Sequence, residues 1–499
     1  MNFENPFPNP IFLAVVVFLI WVVLLNKTQK KLPPSPTKLP ILGNLHQLIG
    51  NLPHVCLEKL SKKHGPLMFL QLGSIPTLVI SSSNMAREIL KPHDLIFSGR
   101  PQLYAAKTLS YNYNNISFAP YGEYWMDVRK IAVSELFSTK RVNSFRTFRS
   151  EEVNLVMDSI TRCCTTKKHV NISELMISLA NNVVCRVAFG MKFDGNGKEI
   201  LKRAQCLLGE LNVADFYPWF GWVVNKFNGV DGRLDRNFRD LDEFYDQVIQ
   251  QHLDCVIKSE GDDQDFVDVL LQIQKNNSGQ TITLNNNQIK GILTDMFIAG
   301  TDTSASVLVW AMTELIRNPP LMKKVQDEVR QVVKGKQRVE ESDLPQLTYM
   351  KLVIKETFRL HPPVPLLVPR ETTTPCTIIG GYKIPQKTRV LINAKAIGMD
   401  PNIWDCDPNE FKPERFLDSP IDYKGHDFEL IPFGVGRRGC PGLTFGVLLI
   451  ELALANLLYC FDWGLPYGMT KDDIDMEEAI GITAHKNIPL LLFANPRSS

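Results

Sequence analysis

Phe433-Gly-Val-Gly-Arg-Arg-Gly-Cys-Pro-Gly442 supports two incompatible folds. Gly434-Val-Gly436-Arg-Arg-Gly439 satisfies G-x-G-x-x-G, the turn that holds a pyrophosphate between a strand and a helix. The same stretch ends in Cys440, a proline and the apolar run Gly442–Leu458, which has the composition of a buried helix. On this second reading Pro441 is the first helical residue. Cys440 then lies where free backbone N–H groups and the helix dipole favour a thiolate, with Arg437 and Arg438 adding positive charge. Gly434, Gly436, Gly439 and Gly442 let the backbone pass close to something flat and bulky. The dinucleotide reading needs Glu429–Phe433 as a strand and an acid downstream, for which Asp462 qualifies. Only 37 residues follow Asp462 in the 499-residue chain, few for the βαβ array that such a turn opens.

The chain is long enough to bury a large core, and no glycine-serine linker divides residues 40–499. With 55 Lys and Arg against 53 Asp and Glu, the net charge of +2 gives no case for a nucleic-acid partner. Its ten cysteines form no Cys-x-x-Cys and no zinc-type spacing with histidines, so they read as reduced thiols. Nine of them need no special role, and Cys440 does.

Ile11–Leu25 is uninterrupted and apolar, spanning roughly 22 Å as a helix. The residues before it carry only Glu4, and Lys27, Lys30 and Lys31 follow. That charge order predicts an uncleaved signal anchor, with the start in the lumen and the remainder in the cytosol. Residues 31–40, rich in proline, form a stiff spacer. The sequons at Asn115, Asn171 and Asn276 should then stay unmodified.

Apolar periodicity predicts helices over 145–165, 237–258, 284–317, 321–334, 348–360 and 442–458. Thr77–Ile80 and Thr388–Asn393 read as strands. Three further constellations carry chemistry. Phe297-Ile-Ala-Gly-Thr-Asp-Thr-Ser304 puts polar residues in the middle of an apolar helix. Gly300 there costs about 1 kcal/mol relative to alanine and implies close approach by another group. Asp302 beside Thr303 can hand on protons, although a kinked helix with satisfied hydroxyls would look the same. Glu356 and Arg359 share a helix face at i, i+3, and Arg415 in Pro413-Glu-Arg-Phe416 can join them in a buried network. Trp125 and Arg129, at i, i+4, together suit a carboxylate.

Taken in order along the chain, these features closely resemble a cytochrome P-450 of the plant microsomal type that oxidises specialised metabolites. Phe433, Gly436, Arg438, Cys440 and Gly442 match F-x-x-G-x-R-x-C-x-G, and the likeness runs from the anchor to Gly481-Ile-Thr483. The resemblance implies a mainly α fold with small β-sheets (α+β): a triangular, helix-rich haem domain over 41–499, a hinge over 31–40 and one transmembrane anchor over 1–30. It makes Cys440 the axial thiolate of haem b. Trp125, Arg129, Arg438 and, more weakly, Arg370 become propionate donors, and Phe433 packs on the ring near the sulfur. Asp302 and Thr303 match the acid–alcohol pair that delivers protons, with Ala299 and Gly300 leaving room for oxygen. Glu356, Arg359 and Arg415 become fold-supporting.

The implied activity is insertion of one oxygen atom from O2 into an apolar plant metabolite such as a terpenoid, alkaloid or phenylpropanoid. Ring closure, C–C coupling or dehydration is the alternative outcome. Electrons would come from NADPH through a separate cytochrome P-450 reductase in the endoplasmic reticulum membrane, with cytochrome b5 as an optional second donor. The chain itself would bind no flavin or NADPH. Phe216, Leu367 and Ile482 are the expected substrate contacts. A nicotinamide-dependent dehydrogenase and a non-enzymatic haem protein are the remaining alternatives.

Overall fold

The structure, a computed structural model, describes residues 31–192, 197–254, 264–275, 283–404 and 407–497. Eight helices frame the site: α1 (Glu123–Ile131), α2 (Arg146–Thr166), α3 (Ile172–Phe189), α4 (Val230–Asp254), α5 (Asn286–Arg317), α6 (Pro319–Val332), α7 (Thr348–Leu360) and α8 (Leu443–Cys460). The strands are β1 (Leu67–Leu72), β2 (Ile75–Ile80), β3 (Val170–Asn171), β4 (Arg370–Glu371), β5 (Cys376–Ile378), β6 (Tyr382–Ile384), β7 (Arg389–Ile392), β8 (Phe461–Gly464) and β9 (Leu491–Pro496). They form three small sheets in the orders β1-β2-β7-β4, β3-β9-β8 and β5-β6. Among these pairings only β2 and β7 run parallel.

α5 is the spine. It opens on a capping box in which Asn285 Oδ1 accepts from the Gln288 N–H at 2.9 Å and the Gln288 amide oxygen accepts from the Asn285 N–H at 2.8 Å. It ends at Asn318, where Pro319 starts α6. Its 32 residues span about 48 Å and are buried on nearly every side. A Cβ on Gly300 would stand 2.9 Å from Val184 Cγ2 of α3, so the close approach that this glycine allows is a helix crossing. α5 is continuous helix through 299–304.

α3, α5 and α8 are each long and apolar enough to cross a membrane, yet 61%, 78% and 78% of their apolar windows are buried within the protein, which makes them core. The anchor expected over 1–30 lies outside the described residues, as does Asn276. Asn115 is buried with its amide committed to Asp295, so folding alone closes that sequon. The 31–40 segment lies along the domain: the Phe69 N–H donates to Pro34 O at 2.9 Å and the Lys383 N–H to Lys31 O at 2.8 Å.

The helices expected from periodicity occur within a few residues of their limits, except that α4 begins earlier, at Val230. Asp231, Arg233, Asp235 and Arg236 surround its first apolar positions and dilute the pattern. The eight cysteines among the described residues form no disulfide with one another.

Two readings of the opening stretch need correction. Glu429–Phe433 is not a strand, and among the described residues no doubly wound sheet precedes it. Gly434 and Gly436 adopt φ of +69° and +64°, a region that favours glycine. The helix also starts later than Pro441. Pro441-Gly442 is a turn, Gly442 is the N-cap of α8, and the Gly446 N–H closes onto Gly442 O at 2.9 Å.

Candidate active site

The loop is closed at its neck by the Cys440 N–H, which donates to Phe433 O at 2.8 Å. Asp94 braces it from outside: its Oδ2 accepts from the Arg437 N–H at 3.1 Å. The Cys440 side chain is thereby held at a cavity of about 240 Å³ between this loop and α5. Cys440 is exposed by accessible surface and lines this cavity together with Gly439, Pro441 and Gly442. Burial pushes the Cys440 thiol up from its ordinary range, and the Gly442 N–H and the Arg129 charge draw it down. Phe433 lines the same cavity and packs edge-on against Phe358 of α7, ring centroids 5.2 Å apart.

Four arginines meet at one end of this cavity: Arg100, Arg129, Arg370 and Arg438. Arg438 donates to Ser98 O at 2.7 Å, Ile116 O at 3.3 Å and Ala119 O at 2.7 Å, and its guanidinium lies 4.1 Å from the Trp125 ring centroid. Trp125 Nε1 donates to Ile116 O at 3.0 Å. Arg100 donates to Ser117 O, Val368 O and Pro369 O, and Arg370 to Val435 O. Burial, then the neighbouring Arg370 and Arg129, push Arg438 down to about 9, and burial pushes the other three down as well. Asp94, 3.4 Å from Arg370, and Asp295, whose field reaches Arg100, oppose this crowding, as do Tyr121 at Arg438 and Cys440 at Arg129. A guanidinium does not shed its proton, so this end of the cavity is built for an anion.

α5 supplies the opposite wall through Ala299, Gly300 and Thr303. Thr303 Oγ1 donates to Ala299 O at 2.8 Å. The Asp302 side chain leaves the cavity and meets His485, Oδ2 to Nε2 2.7 Å. A second cavity of about 90 Å³ adjoins the first, sharing Thr303, Ala299, Asp295, Ser117, Val364 and Val368. Ile482 lines this second space and Leu367 the first, whereas Phe216 lines neither. Phe216 is packed with Tyr217 against Leu70, Leu72 and Val79, beneath the β1–β2 sheet.

Behind the cavity, Glu356 accepts from Arg359 Nε and Nη2 at 2.7 Å each, from Arg415 Nε at 2.9 Å and from the Lys412 N–H at 2.8 Å. Arg359 also donates to Gly398 O, Pro408 O and Glu410 O. The cluster ties α7 to the 407–416 segment.

The cytochrome P-450 family model matches residues 33–492. The chain belongs to the cytochrome P-450 family. It is 55% identical to cytochrome P-450 71A9 of Glycine max, covering 97% of this chain and 98% of that one. It is also 55% identical to strychnine-11-hydroxylase of Strychnos nux-vomica, with 99% and 98% covered. A zebra fish cytochrome P-450 solved with progesterone superposes with a TM-score of 0.76 at 24% identity, over 90% of this chain and all of the other, a likeness of fold. This P-450 is therefore a haem monooxygenase of the plant specialised-metabolism type, and its family holds haem b through a cysteine thiolate. The residues present fit that group. A sulfur faces the cavity, and the four crowded cations beside it suit the two propionates of a porphyrin.

Sequence reasoning missed Arg100, Asp295 and His485. Arg100-Pro101 belongs to no motif. Asp295 carried a signal: it is a lone acid two turns before Asp302 in an otherwise apolar stretch. His485 carried none, because its partner lies far away in sequence.

Proposed function

We propose that this P-450 inserts one oxygen atom from O2 into a small apolar plant metabolite, with Cys440 as the haem ligand. The carrying observation is Cys440 lining a cavity beside four crowded arginines, of which, among the described residues, only Arg370 is ion-paired, to Asp94. Bound haem supplies dioxygen activation, and a thiolate ligand favours cleavage of the O–O bond. Cys440 would hold the iron. Arg100, Arg129, Arg370, Arg438 and Trp125 would donate to the propionates, giving up some of their present carbonyl contacts. Phe433 shields the sulfur side. Thr303, on the wall shared by both cavities, would present a proton from its hydroxyl on giving up its bond to Ala299 O, and Asp302, which points to His485, would turn toward it to replenish that proton.

The substrate reading rests on the second cavity. Leu109, Phe118, Leu208, Ile298, Val368 and Ile482 give it an apolar wall, with hydroxyls from Ser110 and Thr483 for orientation. Strychnine-11-hydroxylase among the relatives supports a rigid specialised metabolite such as an alkaloid. Electrons come from NADPH through a separate reductase.

Residence at the endoplasmic reticulum membrane is supported by an exposed apolar patch. Trp219, Trp222 and Phe227 are 74%, 53% and 85% exposed. Tyr217 Oη donates to Ile41 O at 3.1 Å, which ties this region to the hinge that leads from the anchor. The function is tested with reductase, NADPH and 18O2 over a panel of plant alkaloids, terpenoids and phenylpropanoids. One product carrying a single label is expected. Substrate-induced spectral shifts with only unlabelled products would overturn the reading.

A further inference from the structure

Asp302 does not face the cavity; its face of α5 is turned to the loop at 483–486. Asp302, Ser306 and Trp310 follow at i, i+4 and i+8, so they form one stripe along the helix. Ser306 Oγ and Trp310 Nε1 both donate to Ala484 O, at 2.7 and 2.9 Å, and the Ala484 N–H donates to Pro363 O at 2.9 Å. These three bonds fix the backbone at Ala484 and so deliver the next residue, His485, to Asp302 at 2.7 Å. The Asp302 side chain is 8% exposed and that of His485 is 30% exposed. The imidazole therefore spans the distance between the buried acid and solvent.

The other charged groups of this loop are engaged elsewhere. Lys486 reaches Asp475 O, and Glu478 pairs with His54 at 2.8 Å and Lys395 at 3.3 Å. Among the described residues no other charged side chain pairs with Asp302.

From this geometry we infer that His485 is the group through which Asp302 exchanges protons with solvent during turnover. Reduction of O2 with insertion of one atom releases the other as water, which consumes two protons per cycle. In each transfer the imidazole takes a proton from hydronium at Nδ1 and gives its Nε2 proton to Asp302 Oδ2; the Nδ1–H tautomer that results returns to the Nε2–H form by proton exchange with solvent, to which His485 is 30% exposed, before the next transfer. The transfer is redox-neutral: N–H and O–H bonds exchange, and the ring double bond shifts with the tautomer. A histidine suits this because its two ring nitrogens can gain and lose protons in turn. Thr303, adjacent to Asp302 and lining both cavities, faces the consuming side. This inference rests on the monooxygenase reading of the site.

The test uses full-length, haem-loaded protein and two readouts. The first is the rate at which diethyl pyrocarbonate modifies His485, followed by peptide mass spectrometry. Asp302→Ala should free Nε2 and raise that rate several-fold, and an unchanged rate overturns the pairing. The second is the ratio of water to hydrogen peroxide formed from O2 with NADPH and reductase, measured without an organic substrate. Gln at 485 can still hydrogen-bond Asp302 but cannot relay a proton. His485→Gln should lower the ratio roughly tenfold, below the 10²–10⁴ that a positioned proton donor can contribute. It should also raise the solvent deuterium isotope effect on water formation and leave the carbon monoxide spectrum unchanged. A Gln variant equal to the parent in both quantities would reduce His485 to a structural contact and overturn the inference. If the parent itself shows no thiolate-type spectrum, the monooxygenase reading fails instead, while the modification experiment still reports the pairing.

Discussion

Glu356→Ala is the sharpest perturbation of the scaffold behind the site. The carboxylate and Arg359 have side chains that are fully buried, and the Arg415 side chain is 7% exposed. Removing the carboxylate strands two guanidiniums out of water. Three charge-assisted bonds from arginine disappear, together with the one from the Lys412 N–H. Breaking a buried pair on one side costs about 3–5 kcal/mol. Arg359 keeps three carbonyl acceptors, at Gly398, Pro408 and Glu410, so the lower half of that range applies. Even about 3 kcal/mol is a large part of a stability of roughly 5–15 kcal/mol. Phe358, between the two network residues, packs on Phe433 of the cysteine loop, so loosening α7 also loosens the cofactor's seat. Denaturant unfolding of the full chain, with the haem-to-protein ratio measured in parallel, should show both losses. A variant within about 1 kcal/mol of the parent and carrying full haem would refute the claim that this network supports the site, because surface pairs alone reach that value.

Asp295 is pushed up to about 6 by burial, against the hydrogen bonds from Ser117, Ile116 and Asn115. Its folded value lies above its unfolded value, so its contribution to stability is full below about 4 and is lost as pH rises through about 6. The difference in unfolding free energy between Asp295→Asn and the parent should change across that window and be flat above it; a flat difference throughout would contradict the assignment. Arg438→Ala removes one cation from a crowded set together with the group stacked on Trp125. Haem affinity should fall by at least about tenfold, as for loss of a charge-assisted bond worth roughly 1.5–3 kcal/mol, and titration of the apoprotein with haem measures this. For the membrane patch, brominated lipids should quench part of the tryptophan emission of the full chain. Trp219→Phe with Trp222→Phe should abolish that part, and quenching that survives both changes would place the contact elsewhere.

The sequence made the helical frame legible where the apolar period was clean, as in α5, α7 and α8. It misjudged the start of α4, where charges interrupt the stripe, and the start of α8, where a proline that suits a first helical turn sits one residue ahead of the cap. Local motifs brought out Cys440, Asp302, Thr303 and Glu356–Arg359 because each has unusual chemistry for its surroundings. Phe216 came from the resemblance, which points to a segment near 206–222, and a segment's position does not say which of its apolar side chains face a cavity and which pack in a satellite core. Arg100 and His485 were invisible because their roles arise from contacts made across long sequence separations: Arg100 with Val368 and Pro369, and His485 with Asp302. The two readings of the same ten residues were separated by what precedes them, since 429–433 forms no strand and the described sheets are small and mixed.

The central claim is that the loop at 433–442 presents the Cys440 sulfur to haem iron. Its most direct test is the dithionite-reduced, carbon monoxide-bound absorption spectrum of the full chain beside that of Cys440→Ser. The account predicts a thiolate-type Soret shift in the parent and its complete loss in the variant. A thiolate-type shift that persists in Cys440→Ser would contradict it.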